Sequence, residues 1–139
     1  MPKLTEDDIA IAKAIVNCCG EASKLAMVRD YGAEADNISA DEVNCASAVM
    51  VNKLDDIINT STDDALVCVA KELREQVGSS TPTDSGLGII KSSILVMRHS
   101  SQSLSVDGII AKFCQDIHAT FNKLRVELTE EEAIAKEFN

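Results

Sequence analysis

Cys114 and His118 are the one pair in this sequence whose types and spacing suggest chemistry. Residues four apart on a helix share a face, so the thiol and the imidazole could meet. Such a pair can make a thiolate nucleophile or supply half of a metal site. A plain packing role fits the same spacing. Cys114 flanks the apolar series Ile110, Phe113 and Ile117, and His118 borders it. A core thiol beside a boundary imidazole needs no further purpose. A thiol enzyme also requires an orienting group and an oxyanion site, and the sequence offers neither.

The remaining candidates for metal, phosphate or nucleophile chemistry are weaker. No P-loop, dinucleotide glycine motif, nucleophile elbow or H-E-x-x-H occurs. Gly86-Leu87-Gly88 is a fragment of a glycine loop with no lysine at phosphate-cradling spacing, and reads as a loop leading into a helix. His99 is the only other histidine. In a helical hairpin turning near Gln102, the two histidines stand on the order of 15–20 Å apart, too far to share a metal. No E-x-x-H pair points to a di-iron bundle. Asp55-Asp56 and Asp63-Asp64 lack the D-x-[DN]-x-[DN]-G frame of a calcium loop and read as solvated acids. The sequence therefore calls for no metal and no cofactor, and leans away from an enzyme.

Five cysteines, an odd number without a C-x-x-C pair, read as free thiols in a reducing compartment. The start, Met1-Pro2-Lys3-Leu4-Thr5, has no secretory pattern, and no run nears the ~18 apolar residues of a membrane span. The expected location is the cytoplasm. Two thiols fall on helix faces that otherwise look polar. Cys68 lies beside Lys71, Glu72 and Glu75, and Cys45 lies near Asn52 and Asp56. With Val67 and Val49 next to them, Cys45, Val49, Val67 and Cys68 form a candidate partner-binding surface. High burial of both thiols would argue against it.

Positioning these side chains falls to helices. Five places carry a hydroxyl residue, then acids, then an apolar residue: Thr5–Ile9, Ser39–Val43, Ser61–Ala65, Ser105–Ile109 and Thr129–Ala133. Each reads as a helix start, with the Ser or Thr oxygen accepting a first-turn amide and the acids facing the positive end of the helix dipole. Ser39 with Glu42, and Thr129 with Glu132, have the spacing of capping boxes. Apolar residues three or four apart follow the first four starts. These series are Ile11, Ile15, Cys18, Ala22, Leu25; Val43, Ala46, Met50, Leu54, Ile57; Leu66, Val69, Ala70, Leu73, Val77; and Val106, Ile110, Phe113, Ile117, Phe121, Leu124, Leu128. Gly32 and Gly78 are the expected stops of the first and third helices.

Between Gly78 and Gly88 the composition turns to Gly, Ser, Thr and Pro, which reads as a loop. Leu87–Met97 is the most apolar stretch and predicts a central helix, with a buried strand as the rival reading. Short connections favour antiparallel neighbours. The expected fold is an all-α, up-down antiparallel bundle of about five helices plus a short C-terminal helix, as a single domain over 1–139.

With 139 residues and 45% hydrophobic residues, the chain can bury a core without a disulfide or metal. Its 23 acidic and 13 basic residues give a net charge of -10, which disfavours nucleic acid and anionic membranes. It has no Trp and one Tyr, so stacking platforms for bases or sugars are few. Eleven of the 23 acids fall within the five helix starts, so capping accounts for nearly half of the negative charge.

Three functions remain. The first is a non-catalytic interaction module binding a protein partner, a basic one among the candidates, or a second copy of itself. The second is a bundle holding a small apolar ligand in a pocket lined by Ile90, Ile94, Met97, Phe113 and Ile117. The third is a thiol enzyme using Cys114 and His118, which requires a Cys114 pKa well below the free value of about 8.5. Exposed apolar residues, an internal cavity and a depressed thiol pKa discriminate them in turn.

Overall fold

Side-chain oxygens open each helix of the computed structural model, which describes residues 3–78 and 81–137. The side chains of 128–130, 132–133, 136 and 137 lie outside that description. Helix α1 spans Glu6–Tyr31. Thr5 Oγ1 accepts the Asp8 amide at 3.2 Å, and Asp8 Oδ2 accepts the Thr5 amide at 2.9 Å, which completes a reciprocal box. Gly32 ends α1 at φ 55°, a conformation that favours glycine, and a 3-10 turn follows over Gly32–Asn37. Helix α2 spans Ala40–Thr60 and is capped by Ser39, whose Oγ accepts the Glu42 amide. The Glu42 side chain leaves the expected box and pairs with Arg98 instead.

The third start differs by two residues from the sequence expectation. Asp63 caps α3 (Asp64–Val77), its Oδ1 accepting the amides of Ala65 and Leu66. Ser61 instead closes α2, donating its amide to the Ile57 carbonyl at 2.9 Å. Helix α4 spans Asp84–His99 under a Thr83 cap. Gly86, Leu87 and Gly88 are thus helical rather than loop, and the strand reading of Leu87–Met97 gives way to helix. Helix α5 is one piece over Val106–Glu137, starting at Ser105. The separate helix expected at Thr129 is its continuation, since no Gly or Pro interrupts the run. The Thr129 and Glu132 side chains lie outside the described residues.

Contacts along the helices set their directions. Asn17, mid-way along α1, bonds Gln76 in the last turn of α3. Tyr31 at the end of α1 stacks on His99 at the end of α4, with ring centroids 5.1 Å apart. So α3 lies along the first half of α1 and α4 along the second, both running parallel to it. Two helices of 14 and 16 residues in line cover the 26 residues of α1. The other three helix-to-helix connections reverse the chain, as an antiparallel bundle requires. No strand occurs among the described residues.

All five helices feed one core. The expected stripes of α2, α3 and α5 are its centre: Met50, Leu54, Val69, Leu73, Ile110 and Phe121 are fully enclosed. On α1 the buried face is rotated from the expected one. Ala12, Val16, Gly20 and Met27 point inward, while Leu25 is 72% exposed. The cause is a close backbone approach. A Cβ on Gly20 would lie 2.5 Å from Ser85 Cβ, and one on Gly88 would lie 2.9 Å from the Gly20 carbonyl oxygen. Small residues let α1 and α4 touch along their backbones, and the larger apolar side chains of α1 then turn outward.

Candidate functional site

The thiol and imidazole singled out by spacing have separate surroundings. Cys114 is fully buried, and burial pushes its thiol up to about 11. This is opposite to the shift a thiolate nucleophile needs. His118 faces away from that role. Its Nε2 lies 3.1 Å from Asp63 Oδ2 and 3.1 Å from Asn122 Nδ2. The imidazole therefore ties α5 to the cap of α3. Nearby, Arg125 Nε sits 3.4 Å from Asp8 Oδ1 and its guanidinium stacks over Phe121, which ties α5 to the start of α1. Lys3, Leu4, Thr62, Asp64 and Arg125 border a mixed-charge cleft there.

The proposed thiol surface is divided as well. Cys45 and Val49 are exposed on α2, Val67 is half-buried, and Cys68 is buried. The correction for Cys68 follows from the place of α3, which packs against all four other helices. Its buried arc is wider than the apolar stripe: Glu72 and Gln76 are buried with the thiol, while Lys71 and Glu75 stay exposed. Burial, then the Glu72 and Asp8 carboxylates, raise the Cys68 thiol. Burial followed by Cys18 raises Cys19.

Of the five residues expected to line an internal pocket, Ile90, Ile94 and Ile117 are core, and Met97 lies at the surface. Phe113 alone reaches an opening. It lines a groove of about 490 Å³ between α4 and α5 with Val96, Leu104, Gly108 and Ile109. Val96 is 37% and Leu104 39% exposed. Ser103 and Ser105 stand at one side of the groove. The Lys112–Asp116 pair, 2.7 Å apart, crosses its other side. The groove is therefore apolar along its floor and close to neutral at its rim.

No family model, curated protein or solved structure matches the chain. Among the described residues, no three His, Cys, Asp or Glu stand close enough to hold a metal ion. No described helix is long and apolar enough to cross a membrane.

Among the described residues, several acids outside the five expected helix starts are individually paired. Asp55 pairs with Arg74, Asp56 with Lys53, and Asp84 with Lys24. Glu34 receives both Arg98 and His99, the latter at 2.7 Å. That last cluster fastens the 3-10 turn to the end of α4. Sequence reasoning missed the groove because Leu104 lies in a loop, outside any helical period. It missed the His118–Asp63 contact because the partners are 55 positions apart and no pattern links them.

Proposed function

We propose that this chain is a non-catalytic protein-interaction module that takes an apolar segment of a partner protein into the groove between α4 and α5. The carrying observation is the joint exposure of Val96 and Leu104 above Ile109 and Phe113. Apolar side chains grouped in a groove, rather than scattered singly, favour a contact surface. The buried, protonated Cys114 weighs against the thiol-enzyme alternative. The net charge of -10 steers a basic partner at long range, while the neutral rim leaves local selection to shape. The unpaired thiols at Cys18, Cys19 and Cys45 suit a reducing compartment such as the cytoplasm.

The test places a photo-crosslinking side chain at Ser103, beside the groove, and at Lys71 on α3 as a control. A partner captured from Ser103, not from Lys71, and lost on Leu104→Asp supports the module. Equal capture from both positions, or capture that survives Leu104→Asp, rejects it. Light scattering during the same work shows whether the captured partner is a second copy.

A small apolar ligand is the second reading, favoured by a groove volume within the range of ligand pockets. It predicts a thermal upshift with apolar probes that Leu104→Asp removes.

A further inference from the structure

Glu72 lies on α3 beside the apolar stripe rather than in it, yet it is only 7% exposed. Its Oε2 is shut off from solvent and has no hydrogen-bond partner. No ion pair reaches it among the described residues. One turn further along α3, Gln76 is well satisfied. Its Nε2 donates to Asn17 Oδ1 on α1, and its Oε1 accepts from Ser85 Oγ at the start of α4. Thr83 Oγ1 also donates to that oxygen at 3.4 Å. Because α1 and α3 run parallel, one turn back from Asn17 and Gln76 brings Lys13 and Glu72 to the same level. The carboxyl therefore lies in the α1–α3 seam, below a closed polar network, with an oxygen left over.

An isolated carboxylate in such a place is costly, and a neutral acid far less so. The charges bearing on it are few. Glu75 on α3 repels the charged form, and Lys13 on α1 favours it. Asp8, Lys71 and Arg125 act one turn away, on Cys68. Burial and Glu75 together hold the Glu72 carboxyl above its ordinary 4.5, and Lys13 offsets only part of this.

We infer that Glu72 is a proton-operated latch between α1 and α3: the neutral acid packs into the seam, and the carboxylate loosens it toward solvent. The sign follows from linkage. A folded-state pKa raised above the unfolded one adds stability that is complete below the unfolded value and is lost as pH rises through the folded value. The latch is thus closed at low pH and loosens as pH rises through the raised folded value. Gln76 passes any loosening on to the start of α4, since it holds Asn17 and Ser85 together.

The experiment follows urea unfolding and amide-exchange protection of α3 in the wild-type chain and in Glu72→Gln, between about pH 8 and pH 5. The expected wild-type result is a rise in urea midpoint on acidification, with protection gained more in α3 than in α2. Glu72→Gln should lose part of that rise and exceed wild type at the alkaline end. Parallel profiles for the two proteins overturn the latch. Should Glu72→Gln not fold, Glu75→Gln and Lys13→Met carry the test. The first should narrow the wild-type pH gap and the second widen it, and unchanged gaps overturn the idea equally.

Discussion

His118 Nε2 lies 3.1 Å from Asp63 Oδ2, and the same Asp63 side chain caps α3 through Oδ1. One carboxylate thus starts a helix and fastens another to it. Replacing Asp63 by Ala removes the cap and the tie together, with an expected loss of roughly 1–2 kcal/mol. Asp63→Ser keeps a capping oxygen and should lose less. Because Asp63 is about half exposed, the imidazole contact by itself contributes under about 1 kcal/mol. A double-mutant cycle of Asp63→Ala with His118→Ala, read by urea unfolding, checks this coupling.

The α1–α4 crossing predicts that added methyl groups do harm where helix propensity says they should help. Gly→Ala in a helix interior ordinarily gains about 1 kcal/mol. At Gly20 the new Cβ would meet Ser85 at 2.5 Å, and at Gly88 it would lie 2.9 Å from the Gly20 carbonyl oxygen. Both substitutions should destabilise by roughly 1–3 kcal/mol. Leu25→Ser, on the outward face of α1, should stay within about 0.5 kcal/mol of wild type. A neutral Gly20→Ala combined with a costly Leu25→Ser would mean that α1 packs in the other register.

Thiol reactivity should sort by depth. Cys18 and Cys45 are exposed and should react promptly with a thiol reagent in the native protein. Cys68 and Cys114 are buried and should react only as fast as the fold opens. Because the reagent meets Cys114 only in the opened form, its alkylation rate should keep rising with pH toward the free-thiol value of about 8.5. A plateau near neutral pH would restore the thiolate reading.

Strong acid should act oppositely to mild acid. Burial tends to raise the Asp8 carboxyl, but the backbone and hydroxyl of Thr5 and the charge of Arg125 outweigh it and hold it below 3.8. A depressed folded pKa gives stability that is present above the unfolded value and lost as pH falls through the folded one. The stability profile should therefore climb on acidification as Glu72 protonates and fall again below about 4 as Asp8 does. Asp8→Asn should flatten the lower limb and leave the upper one in place, as measured by urea midpoints across pH.

Much of the fold was legible because its signals are local. A cap, a first turn of acids and an apolar residue every three or four positions mark a helix wherever they occur, so Thr5, Ser39 and Ser105 start theirs as expected. The third start moved to Asp63 because α2 ran on to Thr60 and used Ser61 as its own end. Local chemistry offered Ser61 and Asp63 on equal terms, and the length of the preceding helix chose between them.

The sequence by itself determined the helices, the core faces of α2, α3 and α5, and the lack of any recognised catalytic motif. Only the tertiary structure decided which face of α1 turns inward, because Gly20, Ser85 and Gly88 allow a backbone approach that outweighs burying Leu25. It also decided that the buried arc of α3 extends past its apolar stripe to take in Cys68, Glu72 and Gln76. Helical periodicity tells apolar from polar along one element and cannot tell how many neighbours surround it. With four helices packed around α3, even Glu72 is buried, and the informative carboxylate is the one without a partner.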